Sequence, residues 1–227
     1  MSGMKQVLII VTSASELSPG EATGVWLEEF AVPYLAFTGQ GFNVNVASIR
    51  GGRAPIDPRS EPSPEMRTAW KPAIEALENT ASLGSLDPAD FDAVFLPGGH
   101  GTMIDFPESD ELQLLLRGFA EGDKVIAAVC HGPASLANVT MADGRPLVAG
   151  KVLTGFTNQE ESAAGLSDSM PFLLESRLRD QGAQFIAKPE WSDHVEVDGR
   201  LITGQNPQST RRIAQTLIEA LDGSSAS

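Results

Sequence analysis

One cysteine, one tyrosine and three histidines are all that 227 residues hold of these types, and 16 basic residues face 30 acidic ones. A single cysteine excludes an internal disulfide and a multi-thiolate zinc site. The net charge of −14 repels phosphate backbones, which argues against nucleic acid and anionic membrane as partners. Long apolar runs are also missing. Val7 to Val11 and Val125 to Cys130 fall far short of the roughly 20 residues that span a bilayer. No basic start followed by an apolar stretch and a small-residue cleavage site stands at the N-terminus, so a cytoplasmic protein is expected. A hydrophobic share of 41% with 20% charged residues excludes a mostly disordered chain. The length fits one α/β domain.

What is present alternates between buried strands and helices. Lys5 to Val11, Asn43 to Ser48, Phe91 to Leu96 and Lys124 to Val129 read as strands, the first and last as uninterrupted apolar runs buried on both faces. Helices are predicted from Thr23 to about Gln40, near Glu65 to Asn79, from Ser109 to Glu121, His131 to Asn138, Pro171 to Gln181 and Pro207 to Leu221. Shorter strands are expected at 151–155 and 184–187, and 194–197 with 201–203 flank the hairpin signal Asp198-Gly199. A Pro- and Gly-rich insertion occupies about 50–65, and the tail from about 223 is expected to be disordered. The pattern predicts a doubly wound, flavodoxin-like α/β fold across 1–227, with a mostly parallel sheet and helices on both faces. Reactive groups in such folds gather at the carboxyl ends of the strands.

The strongest chemical signal is Ala128-Val129-Cys130-His131-Gly132-Pro133, which has the strand–nucleophile–helix form of a nucleophile elbow. A thiol at that tip would meet the positive end of the next helix, which lowers its pKa. The blander reading is a buried structural cysteine. Pro97-Gly98-Gly99-His100-Gly101 ends the neighbouring strand and matches no dinucleotide or Walker pattern. Gly99 there can turn an amide toward the space above Cys130, pairing with the His131 amide as an oxyanion hole. His100 is a candidate for the substrate pocket. His131 adjoins the nucleophile but is expected to point sideways from it. His194 begins a hairpin strand, where a solvated edge is the simpler reading. Glu28 and Glu29 lie on the apolar first helix, where a desolvated carboxyl would carry protons near neutral pH. Periodicity does not choose between them. Either acid of Thr157-Asn-Gln-Glu-Glu161 can reach back to a histidine.

Together with Thr23-Gly24-Val25-Trp26-Leu27-Glu28-Glu29, Thr154-Gly155-Phe156-Thr157 and Asp198-Gly199-Arg200-Leu201-Ile202-Thr203-Gly204-Gln205-Asn206-Pro207, these motifs resemble the DJ-1/PfpI superfamily. Within it the chain is similar to the Hsp31-like group of glutathione-independent glyoxalases and chaperones. The resemblance places the nucleophile on Cys130, its adjacent histidine on His131, the third acid on Glu161 and the proton-carrying glutamate on Glu29. It implies conversion of 2-oxoaldehydes such as methylglyoxal to 2-hydroxy acids such as D-lactate, through a hemithioacetal and without metal or organic cofactor. It also implies a homodimer. Alternatives within the superfamily are a holdase chaperone or thiol stress sensor, and an amide hydrolase of glutaminase or deglycase type. The glutaminase type would need His194 as its base.

Overall fold

A computed structural model describes residues 3–223. In chain order these form β1 (Gln6–Val11), a small hairpin of β2 (Glu16–Ser18) and β3 (Glu21–Ala22), helix α1 (Leu27–Gly39) and β4 (Asn43–Ser48). The Pro-rich excursion carries a 3-10 turn at Pro58–Ser60. It leads to α2 (Pro64–Ala69), α3 (Lys71–Ala76), β5 (Ala81–Ser82) and β6 (Ala93–Leu96). Next come α4 (Thr102–Asp105), α5 (Asp110–Glu121) and β7 (Val125–Val129). The remainder supplies β8 (Val152–Leu153), α6 (Asn158–Ala164), α7 (Leu174–Asp180), β9 (Gln184–Phe185), β10 (Val195–Asp198), β11 (Leu201–Gly204) and α8 (Thr210–Asp222).

The main sheet runs β10-β11-β7-β6-β1-β4-β5, with every pairing parallel except β10 to β11. Without its two edge strands the order is that of flavodoxin, 2-1-3-4-5. Residues of β6 and β7 are buried throughout, as uninterrupted apolar runs between two helical layers must be. α8 packs on α1, and both α5 and α8 pack on β7. β1 pairs with β4 on one side and β6 on the other, so the strand order reverses there. A crevice opens at such a reversal, beyond the carboxyl ends of the strands. That is where Pro97 to Gly101 and Cys130 lie.

Several predicted boundaries shift, each for a local reason. α1 begins at Leu27 and not at Thr23. Thr23 is taken by Asp57, whose Oδ2 accepts its hydroxyl at 3.0 Å, and Val25 forms a bridge with Ile56. The segment before α1 is therefore held extended against the excursion. The helix expected over 65–79 breaks at Trp70 into α2 and α3, because Pro72 has no N–H to continue the ladder. The helix expected after Cys130 is only a 3-10 turn, Gly132–Leu136. The hairpin turns at Gly199-Arg200, with Asp198 paired to Leu201. Gly223 closes α8 in the left-handed conformation, and the rest of the expected tail lies outside the described residues.

Candidate active site

Cys130 follows β7 directly and adopts φ of 60°, a left-handed conformation costly for a side chain with a Cβ. Its amide donates to Gly204 O and its carbonyl accepts from Phe156 N, so the strain is held from both sides. This is the strained turn of a nucleophile elbow. The left-handed backbone also brings the neighbouring imidazole back over the sulfur. His131 Nδ1 lies 3.4 Å from Cys130 Sγ, so the side chain expected to point sideways instead meets the thiol.

Glu29 and Glu28 separate cleanly. Glu29 is fully buried, and its Oε2 accepts the Gly98 amide at 2.7 Å, whereas Glu28 stands at the rim of the cavity. Glu29 Oε1 is buried without a hydrogen-bond partner among the described residues. Burial pushes the Glu29 carboxyl up to about 8, against the neighbouring Cys130 thiol and the Gly98 hydrogen bond, which work to lower it. Only glycine fits at 98, because a Cβ there would lie 2.7 Å from both Glu29 Oε2 and His131 N.

Burial, and then the Glu29 carboxylate, push the Cys130 thiol up, and the His131 backbone N–H opposes them only in part. A depressed thiol was the expectation from a helix start, and this geometry does not supply it. The following element is a short 3-10 turn with little dipole, and a carboxyl group shares the pocket. Two acids in one dry pocket resist ionising together, so at neutral pH the pair holds at least one proton between them.

Glu161, on α6, reaches back as the resemblance implies. Its Oε2 lies 2.6 Å from His131 Nε2 and its Oε1 lies 2.8 Å from His100 Nε2. Burial works to raise this carboxyl. The charge of His131 and hydrogen bonds from both histidines outweigh it and hold the group well below the usual carboxylate range. His100 is pulled down to about 4 by burial and by the charge of His131. The rings of His100 and His131 stand 4.1 Å apart. Two imidazoles and a carboxylate this close invite comparison with a metal site. Both Nε2 atoms, however, are spent on the two oxygens of Glu161, which describes a hydrogen-bonded group and not a ligand shell.

Cys130, His100 and His131 border a cavity of about 310 Å3, walled by Trp26, Phe156 and Trp191 and reached by Arg59, with Glu29 and Glu161 behind its lining. Gly99 and His131 line it, and neither amide has a main-chain acceptor among the described residues. His194 does not line the cavity. It sits beside Glu196 at 3.0 Å, with Ser209 Oγ on its amide. A larger cavity of about 500 Å3 lies at the amino end of the strands. Its cations are already engaged: Lys124 with three carbonyls, Lys151 with Asp198, Arg145 with Asp143 and Arg200 with Asp123.

Sequence reasoning passed over Arg59, Trp191 and the helix that carries Glu161. The last was legible. Thr157-x-x-Glu160 is a capping box, and both of its reciprocal hydrogen bonds form. Trp191, left-handed at φ of 61°, had no local signal.

Comparison with known proteins decides the family, since the DJ-1/PfpI family profile matches residues 22–220. The chain belongs to the DJ-1/PfpI family. Glyoxalase 3 of Candida albicans is 33% identical, over 96% of this chain and 99% of its own. A glutathione-independent glyoxalase of Saccharomyces cerevisiae is 31% identical, over 96% and 98% respectively. Among solved structures, glyoxalase III from Candida albicans superposes with a TM-score of 0.88 at 33% identity, covering 97% of this chain and 98% of that one. No helix among the described residues is long and apolar enough to cross a membrane.

Proposed function

We propose that this member of the DJ-1/PfpI family is a glutathione-independent glyoxalase that converts methylglyoxal and related 2-oxoaldehydes to 2-hydroxy acids. The observation that carries the reading is one thiol with two different proton carriers in its pocket, His131 at 3.4 Å and the buried Glu29, whose Oε2 faces the same point at Gly98 as the His131 amide. His131 Nδ1 accepts the thiol proton, and the Glu161 carboxylate stabilises the imidazolium. The sulfur adds to the aldehyde carbon, and the carbonyl electron pair moves onto oxygen. We assign the Gly99 and His131 amides as the donors to that developing charge. Protonation by the Glu29 carboxylic acid gives the hemithioacetal.

The resulting Glu29 carboxylate then removes the hydrogen from the former aldehyde carbon as a proton, and the hydroxyl proton of the hemithioacetal passes to the former ketone oxygen, giving an enediolate. Returning the proton to the adjacent carbon yields a thioester of the 2-hydroxy acid. Water cleaves the thioester, restoring the thiol and releasing lactate. Oxidation at one carbon matches reduction at its neighbour, so neither glutathione nor a redox cofactor enters. Delivery of the proton from one fixed carboxyl selects one enantiomer, for which D-lactate is our assignment. Glyoxalases of Candida albicans and Saccharomyces cerevisiae similar along nearly the whole chain support the substrate class.

A holdase role receives less support, since the exposed large hydrophobic residues Met4, Met66, Leu114, Trp191 and Val197 come from five separate segments of the chain. We further assign a cytoplasmic homodimer built from one domain per chain, for which sedimentation in solution is the test. The activity itself is tested with methylglyoxal in the absence of glutathione. Lactate should appear with wild-type protein and vanish with Cys130→Ser, whereas equal turnover by both would remove the reading.

A further inference from the structure

The Pro-rich excursion places one side chain against the histidine pair. Asp57 is fully buried, accepts Thr23 Oγ1 at 3.0 Å, and grips Arg59 through Nε at 2.9 Å and Nη2 at 2.6 Å. The fork is thereby fixed in orientation. The same Nη2 lies 3.4 Å from His100 Nδ1. Guanidinium can only donate, so Nδ1 must be the acceptor and carry no proton. The ring proton then sits on Nε2 and is donated to Glu161 Oε1 at 2.8 Å. One hydrogen-bonded chain thus runs from Asp57 through Arg59, His100, Glu161 and His131 to Cys130.

We propose that Arg59 is a positioning residue for the nucleophile: by donating to His100 Nδ1 it keeps that imidazole neutral, so that the charge of Glu161 serves His131 alone. The inference rests on the reading of Cys130, His131 and Glu161 given above. Glu161 carries one charge and touches two imidazoles. If His100 were protonated, a second cation would stand 4.1 Å from the His131 ring and share its carboxylate. His131 would then be a poorer acceptor for the thiol proton. The charged or titratable groups facing His100 are Arg59 from the excursion, Glu161 from α6 and His131 from the nucleophile turn. Burial first and the charge of His131 next disfavour a charge on His100, Glu161 favours one, and Arg59 adds to the first two.

The test replaces the cation while sparing the fold. Arg59→Met alone would strand the buried Asp57 carboxylate, so Asp57→Asn/Arg59→Met is compared with Asp57→Asn and with Arg59→Lys. Imidazole NMR of His100 should show its protonation moving upward from about 4 in the double variant. Arg59→Lys, which keeps a cation, should stay near wild type. Turnover of methylglyoxal by the double variant should fall roughly threefold near pH 5, with the deficit shrinking toward pH 7 as His100 deprotonates. Iodoacetamide alkylation of Cys130 should show the same acid-side loss. Should wild type fail to turn over methylglyoxal, the activity reading falls, yet alkylation and NMR still judge Arg59. If His100 titrates identically in all variants, or the deficit is equal at every pH, the role given to Arg59 is wrong.

Discussion

Glu160 and Glu161 are consecutive on α6 and send their carboxylates to entirely different partners. Glu161 joins His100 and His131, while Glu160 Oε1 accepts Trp191 N at 2.9 Å, Gln205 Nε2 at 3.1 Å and Asn206 Nδ2 at 2.8 Å. The capping box makes this division possible. Glu160 Oε2 accepts the Thr157 amide and hydroxyl, which fixes the start of the helix and therefore the phase of the next residue. One acid serves the nucleophile and the other ties three segments together around the cavity wall.

Glu160→Ala should therefore damage stability more than chemistry. It takes the side-chain acceptor from Trp191 N and from the helix start, and one of several acceptors from Gln205 Nε2 and Asn206 Nδ2, at a cost of about 3 kcal/mol. Chemical denaturation checks this, and a loss under about 0.5 kcal/mol would contradict the clasp.

Glu29→Gln keeps the shape of the proton carrier and removes its proton, so turnover should fall by about 100-fold or more. Glu28→Gln, at the rim, should fall only slightly. Steady-state rates with methylglyoxal decide between them, and a dead Glu28→Gln beside an active Glu29→Gln would reverse the assignment.

The same Glu29 variant should be more heat-stable. Folding lifts this carboxyl from 4.5 to about 8, so the native state binds more protons than the unfolded chain between those values, and stability falls as pH rises through that window. Near pH 7 the wild-type carboxyl costs on the order of 3 kcal/mol. Glu29→Gln should raise Tm by several degrees at pH 7.5, with the advantage fading toward pH 4.5. A pH-independent difference would contradict the linkage.

Activity should carry the mark of that carboxyl too. The alkoxide takes its proton from Glu29, so kcat/KM should decline as pH rises through about 8. A profile level from pH 7 to 10 would remove Glu29 as the acid. His194→Ala, by contrast, should lose little, and a drop of several orders of magnitude would restore a glutaminase-like base.

The sheet and the elbow were legible because both are written locally. Buried strands need uninterrupted apolar runs, and Cys130 stands between a strand and small residues. The choice of Glu29 over Glu28 was not legible from periodicity, since α1 is apolar on several sides and only the close approach of Gly98 distinguishes the two. The resemblance made that choice. His131 was misjudged because the expected turn was ordinary, whereas Cys130 at φ of 60° changes where the next side chain points. Arg59 and Trp191 reach the cavity from irregular segments, whose paths are set by distant partners such as Thr23 and Glu160.

The central claim is that Cys130 bonds covalently to the aldehyde carbon while protons move through Glu29. It is tested most directly by intact-protein mass spectrometry of Glu29→Gln and wild type after brief exposure to methylglyoxal without glutathione, with the adducted peptide mapped. The account predicts that Glu29→Gln accumulates a methylglyoxal adduct on Cys130 while wild type turns the same aldehyde into lactate. Lactate formed with no adduct at Cys130 in either protein, or unabated in Cys130→Ser, would contradict it.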